Sequence, residues 1–140
     1  MAQQQAVVLY YDAGAVTTSE SLVTMGITVG GVAQTAATYY TIPQGITLHI
    51  QSICIDLRST SGSPSGRVRL RIAQPVGIAS PIVGTWEFYP QGNGSLDRIV
   101  QNFADLAFQG STPSGNQIGV SQICSATTPL LTFTITGYIA

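Results

Sequence analysis

The chain has 140 residues, only 8% of them charged, and its five Arg and six acidic residues give a formal net charge of −1. A chain of this length buries roughly two-thirds of its unfolded surface as one unit, so we expect a single domain over residues 1–140. Five arginines and no lysine do not form the basic face that neutralises phosphates, which argues against a nucleic-acid partner.

Short runs of Val, Ile, Thr, Tyr and Phe, separated by Gly, Pro, Ser and Asn, are typical of an all-β domain. They predict about eight strands, near Ala6–Tyr11, Leu22–Val29, Ala36–Thr41, Ile46–Leu57, Arg67–Gln74, Ile82–Tyr89, Gln117–Cys124 and Leu130–Ile139. Only Asp97–Phe108 has helical spacing, which places Ile99, Phe103 and Leu106 on one face. That segment predicts a helical turn or two.

Two phrases of the sequence resemble each other: TIPQGITLHIQSIC, Thr41–Cys54, and TPSGNQIGVSQIC, Thr112–Cys124. Each opens with Pro-x-Gly, which suits a turn before a strand. In the first copy the apolar parity changes after Gln51, which predicts a β-bulge or a bend there. The second copy predicts the same slip between Val120 and Ile123. Coincidence is the alternative, because Pro-x-Gly before a strand is common.

Each copy continues through a turn-rich loop into a second alternating strand. This arrangement predicts two pseudo-repeated hairpins, related as the halves of an antiparallel β-sandwich of jelly-roll or Greek-key type.

The phrase I-P-x-G-x-x-L-x-I, its following strand and the final T-x-T-G-Y strand resemble small β-sandwich structural proteins of tailed-phage virions. The resemblance covers Ile42–Ile72 and Thr112–Ile139 and rests on structural motifs. It implies a jelly-roll-like fold and assembly partners, such as a major capsid protein or another virion protein, and it transfers no functional residue.

Catalytic groups are few in this sequence. His49 is the single histidine, it is predicted on the polar face of a strand, and no G-x-S-x-G elbow accompanies it. Two cysteines and one histidine do not form a zinc set, and no calcium ladder is present. We therefore expect no cofactor, no metal and no enzymatic activity; a hydrolase that uses Asp97 or Asp105 is a third, less favoured class.

Cys54 and Cys124 occupy matched places in the two copies, so a disulfide is one possibility. We favour two free, buried thiols, because nothing indicates an oxidising compartment. The opening MAQQQAVVLYYDAG lacks the features of a secretory signal, and no run approaches the ~20 apolar residues that span a bilayer. We expect synthesis in the host cytoplasm without a signal peptide, and no membrane partner.

The alternating RVRLRIAQ places Arg67, Arg69 and Arg71 on one strand face. One interpretation is a solvated face with Asp56 opposite on the same hairpin; the other is a binding site for an acidic strip of a partner. We weigh them evenly and name these four residues as interface candidates.

Aromatic residues provide a second candidate surface. One tyrosine of each doublet should point outward, because adjacent strand residues face opposite ways, and Tyr10 and Tyr40 are the candidates for protein or sugar contacts. Trp86 and Phe88 are two positions apart on a predicted strand, so both point to the same side, and that side is predicted to face the core.

These observations predict a non-enzymatic structural protein of a virion, most simply a capsid decoration or cement protein that forms a homotrimer. A near-neutral surface favours such association because little charge repulsion separates the copies. The alternative is a carbohydrate-binding or adhesin-like β-sandwich module in a tail or receptor-binding component.

Overall fold

The computed structural model describes residues 4–140, which form eleven antiparallel strands and no helix. Within this range there is accordingly no helix long and apolar enough to cross a membrane. The first sheet has the spatial order β4 (Val32–Ala33), β3 (Gly26–Val29), β1 (Gln5–Ala15), β11 (Leu130–Ile139), β6 (Thr47–Arg58), β9 (Leu96–Gln109). The second sheet has the order β2 (Ser21–Leu22), β10 (Asn116–Cys124), β7 (Gly66–Ala73), β8 (Ile82–Phe88), and β5 (Tyr40–Ile42) also pairs with β10.

The predicted fold class is confirmed: two antiparallel sheets face each other as a β-sandwich. The order β1-β11-β6-β9 opposite β2-β10-β7-β8 is that of a jelly roll, in which successive strands of these eight lie in different sheets except for the hairpin β7-β8. Side chains from both sheets, including Ile55, Leu70, Val120 and Phe133, line one small central cavity. Burial of each such side chain contributes about 1.5–3 kcal/mol, so this layer supplies much of the stability.

A β-bulge at Gln51 confirms the predicted parity change in β6. Against β11, Ile50 pairs with Gly137 and Ser52 pairs with Thr136, which leaves Gln51 without a partner. Inward-facing residues before the bulge are Leu48 and Ile50, and those after it are Ile53, Ile55 and Leu57. One extra residue thus allows both halves of a twelve-residue strand to face the same core.

The two Pro-x-Gly entries are confirmed as turns and lie beside each other. Gly45 and Gly115 both have a φ of 79°, a left-handed conformation that glycine adopts without a steric cost. β5, which ends just before the first turn, pairs with the start of β10 just after the second, so that Ile42 lies opposite Asn116. The repeated phrases therefore meet at one end of the sandwich.

The predicted hairpins are wrong. β6 pairs with β11 and β9, whereas β7 pairs with β10 and β8, so each loop crosses from one sheet to the other. The physical reason is that all four strands have one strongly apolar face, and crossing places those faces opposite one another in the core. Sequence proximity alone suggested pairing within each copy.

The parity slip predicted for the second copy is also wrong. β10 pairs with β7 in an unbroken register from Gln117 to Cys124. Ile123 lies on the outer face, half-buried, and Cys124 faces inward. Gln122 also faces inward and is buried, because its side-chain amide bonds to Thr17 and Ser21.

The helical segment predicted at Asp97–Phe108 is instead the edge strand β9. Ile50 pairs with Leu106 and Ser52 pairs with Asn102, so three residues of β9 lie opposite Gln51. This wide bulge changes the parity between Phe103 and Leu106. It thereby produces the i, i+4, i+7 spacing that resembles a helix.

Most of the remaining strand predictions are confirmed with shifted ends, but of the predicted Ala36–Thr41 only the last two residues lie in a strand, β5, and β4 was not predicted. β1 extends to Ala15, and the segment predicted as Leu22–Val29 is divided into β2 and β3. Val23 and Met25 between them still hydrogen-bond to neighbouring backbone and are buried.

The paired glycines allow a matched test of the turn geometry. Gly45→Ala should cost about 1–2 kcal/mol because of its left-handed φ, and no atom would crowd the new Cβ. Gly115→Ala should cost about 1–3 kcal/mol more, because its Cβ would overlap the carbonyl oxygen of Ile42. Urea unfolding of both variants measures the difference, and equal losses would contradict this packing.

Candidate interaction surfaces

The three arginines of β7 lie on the outer face of the second sheet, as predicted, but they are not equivalent. Arg71 is buried with 3% exposure, and its Nε donates to Ser121 Oγ at 2.9 Å while Nη1 donates to the Ser80 carbonyl at 2.6 Å. Its Nη2 donates to Glu20, and Arg69 Nη1 donates to the other oxygen of the same carboxylate at 3.0 Å. One acid thus holds two neighbouring guanidinium groups together.

Glu20 is the functional residue that sequence reasoning missed. It lies in the loop between β1 and β2, about fifty positions before the arginines. β2 pairs with β10 beside β7, and this pairing brings the loop over the arginine strand. A lone acid in a polar loop carries no signal of that placement, because the crossing depends on the tertiary topology.

Asp56 does not lie opposite the arginine stripe, which corrects the expected pairing. It is on β6 in the first sheet, where its carboxylate accepts two hydrogen bonds from Arg98 of β9, at 2.6 and 2.9 Å. The predicted pairing failed for the same reason as the hairpins: β6 and β7 belong to different sheets.

Arg67 is the member of the stripe that has no partner among residues 4–140. It forms no ion pair in this range, and its Nε is buried without a hydrogen-bond acceptor. The Nε of Arg69 also lacks an acceptor, but Arg69 donates to Glu20 through Nη1, so Arg67 is the arginine of the stripe whose guanidinium is free to contact a ligand.

The tyrosines face different environments. Tyr10 is 43% exposed, and its ring lies over Gly26 of the neighbouring strand, while Tyr11 stacks on Phe133 with ring centroids 6.0 Å apart. In the second doublet Tyr39 is the exposed member, and Tyr40 is half-buried against the core, which raises the pKa of its hydroxyl. The six interface candidates therefore do not form one continuous surface.

The predicted core aromatics are confirmed. Phe88 is fully buried, and Trp86 packs against the core while its Nε1 donates to Gln101 of β9 at 3.0 Å. That hydrogen bond ties the open edges of the two sheets together.

His49 lies on the outer face of the first sheet, where its ring stacks on Tyr138 with centroids 4.6 Å apart. Asp97 accepts a hydrogen bond from the Tyr89 backbone, and Asp105 is exposed in the bulge of β9. Within residues 4–140 no group of three His, Cys, Asp or Glu side chains lies close enough to hold a metal ion.

Both cysteines are free, as favoured from the sequence. Cys54 is half-buried and follows the outward parity of β6, whereas Cys124 faces the core from the other sheet. Burial raises the pKa of the Cys124 thiol to about 11. The matched positions in the two phrases therefore have different environments.

The outer edge of β9 is a second feature that sequence reasoning missed. This fourteen-residue strand pairs only with β6 within the described range, and it carries the exposed side chains of Leu96 (40%) and Val100 (61%). Long apolar edges pair readily with other chains, and proteins commonly protect them with Lys or Pro, which β9 lacks.

No protein-family model matches the chain, and no curated protein matches it. Among solved structures it is similar to the coat protein of Tobacco streak virus, with 10% identity, a TM-score of 0.43 and coverage of 94% of this chain and 85% of the other. It is also similar to the globular domain of zebrafish complement 1qA, with 11% identity, a TM-score of 0.42 and coverage of 97% and 96%. A chain of Broad bean stain virus gives 8% identity, a TM-score of 0.41 and coverage of 99% and 84%. These values assign no family, and the fold assignment rests on the strand pairing described above.

The Glu20 network should matter more for stability than the Asp56 pair. Glu20→Gln leaves the guanidinium of Arg71, whose side chain is 4% exposed, without its counter-charge, and should lower the free energy of unfolding by about 2–3 kcal/mol. Asp56→Asn breaks a pair whose Arg98 side chain is 55% exposed, and it should cost clearly less because solvent screens an exposed pair. Urea denaturation at matched pH compares the two, and the reverse order would contradict the assignment.

Cys124 should react slowly with iodoacetamide in the folded protein. A pKa of about 11 instead of 9.0 lowers the thiolate fraction about 100-fold near neutral pH, since each unit is a factor of ten. In the Cys54→Ser variant, labelling followed by mass spectrometry should be slow in buffer, faster as the pH approaches 11, and rapid in guanidinium. Rapid labelling of native Cys124 at pH 8 would contradict its burial.

Proposed function

We propose that this chain is a non-enzymatic structural protein that assembles with copies of itself on a larger particle. The observation that carries the proposal is the unpaired edge of β9. The seven residues Leu96–Asn102, before the wide bulge, pair with β6 in continuous register, and no described strand pairs with their outer edge.

This edge suits a second copy of the same chain better than a charged partner. The positive charge of Arg98, on the outer face of this strand, is balanced within the molecule because its guanidinium is paired with the carboxylate of Asp56 on β6. The exposed side chains on the same face are Leu96 and Val100, which a neighbouring strand would bury. A net charge of −1 adds little repulsion between copies.

The trimer expected from the sequence requires a heterologous contact, in which the β9 edge meets a different surface of the next copy. The opposite edge of the same sheet is the natural counterpart. It ends at β4, where Val32 is 63% exposed. Contact between these two edges would continue the first sheet from one copy to the next.

The finer proposal is a capsid decoration or cement protein of a tailed-phage virion, with the major capsid protein or another virion protein as its partner. Its support is the resemblance of Ile42–Ile72 and Thr112–Ile139 to small virion proteins, together with an edge suited to assembly. The absence of an enzymatic role belongs to the same proposal, and it is supported by the stacked, isolated position of His49.

Charge placed on the β9 edge should abolish self-association. The wild-type protein should have a native mass three times 14.7 kDa, about 44 kDa. Val100→Lys should give a folded monomer, because a lysine on the outer edge must be desolvated for a strand to pair there. Light scattering after size exclusion measures the mass, and circular dichroism verifies the fold.

Two further variants sharpen the test. Ile78→Lys changes an isoleucine that is 52% exposed in the loop between β7 and β8, and it should leave the trimer intact. Val32→Lys should also give a monomer if the contact is heterologous. A wild-type monomer, or a trimer that tolerates Val100→Lys, would contradict the proposal.

A further inference from the structure

A cleft of about 420 Å³ opens on the outer face of the second sheet. Its floor is a row across three adjacent strands, in which Arg67 of β7 lies between Ile123 of β10 and Glu87 of β8. Tyr89 and the hydroxyls of Ser65 and Ser125 form its sides. The volume lies in the range of small-molecule sites.

The cleft is held rigidly. The Ser125 backbone N–H donates to the Ser65 carbonyl, and the Ser65 N–H donates to the Ser125 hydroxyl, both at 2.9 Å. The Tyr89 N–H donates to Asp97 at 2.8 Å. Side chains presented by paired strands need little reordering when a ligand binds.

Donors and acceptors for a ligand lie side by side in this cleft. Arg67 uses none of its N–H groups on residues 4–140, and its Nε is buried without an acceptor. Glu87 accepts one hydrogen bond, from the Tyr89 hydroxyl at 2.9 Å, which leaves its other oxygen available. The bond to Glu87 raises the pKa of Tyr89 and keeps the phenol protonated.

This arrangement selects the charge of the ligand. A phosphate or carboxylate next to Arg67 would also meet the carboxylate of Glu87, and an ammonium group next to Glu87 would meet the guanidinium. A neutral group that both donates and accepts satisfies both side chains. Adjacent hydroxyls of a sugar ring have this property.

Tyr89 adds an aromatic ring on which a sugar can stack. It is 56% exposed, and its bond to Glu87 orients the ring at the side of the cleft. Its face offers an apolar surface to the C–H face of a pyranose, while its hydroxyl stays in the polar network. We propose that this cleft binds a neutral pyranose unit of a glycan, through Arg67, Glu87 and Tyr89.

Covalent chemistry at Cys124, which also lines the cleft, is not part of this inference. Its thiol is buried and stays protonated at neutral pH. The site is therefore one of recognition.

The test uses the full chain and saturation-transfer NMR. The probes are glucose, galactose, mannose and N-acetylglucosamine as methyl glycosides and as β1,4-linked oligomers, with sialyllactose, inorganic phosphate and lysine methyl ester as charged comparisons. At least one neutral sugar should bind. Arg67→Met and Tyr89→Ala should each weaken that binding about tenfold or more, because each removes a principal contact.

Matched variants distinguish the loss of a contact in the cleft from a general loss of the folded structure. Tyr39→Ala removes an exposed tyrosine that does not line this cleft and should leave sugar binding unchanged. Tyr89→Phe keeps the ring but loses the bond to Glu87, so it should retain part of the affinity. Thermal unfolding followed by circular dichroism verifies that each variant is folded.

Failure of every neutral sugar to bind would overturn the proposal. So would binding that is unaffected by Arg67→Met and Tyr89→Ala, or binding of phosphate or sialyllactose alone, which would identify an anion site. Sugar binding and oligomeric mass are separate measurements made on different variants, so failure of one proposal is distinguishable from failure of the other.

Discussion

One extra residue in β6 determines which side chains of the first sheet reach the core. Without the bulge at Gln51, either Leu48 and Ile50 or Ile53, Ile55 and Leu57 would point into solvent, since strand residues alternate strictly. β6 is paired on both sides, so both neighbours must accommodate the bulge. On one side Gly137 permits the close approach of the His49 carbonyl, where a Cβ would overlap it. On the other side β9 inserts three residues of its own.

The same constraint shapes the surface that we propose for assembly. The wide bulge divides β9, and the regular part, Leu96–Asn102, retains an unpaired outer edge whose two charged residues, Asp97 and Arg98, have partners within the molecule. A bulge commonly protects an edge strand, and here it protects only the second half. The remaining half is short, which favours one specific contact over extended pairing.

Electrostatics on the second sheet is organised by Glu20. Three arginines on one strand face repel each other, and one carboxylate between Arg69 and Arg71 offsets most of that repulsion. The network also fixes the loop before β2 and the Ser80 loop onto the sheet. Arg67 lies outside it and remains available beside Glu87 and Tyr89. The stripe therefore combines a structural network with a candidate binding site.

Local physics in the sequence determined the all-β class, most of the strand positions, the Gln51 bulge and the two Pro-x-Gly turns. These follow from alternation and backbone sterics, which act over a few residues. Only the tertiary structure decided that β6 and β7 belong to different sheets, that Asp56 pairs with Arg98 and that Glu20 meets Arg71. It also decided that Asp97–Phe108 is an edge strand, because its bulge is defined by the register against β6. Pairing between distant strands depends on how two apolar faces are brought together, and the order of residues along the chain does not specify it.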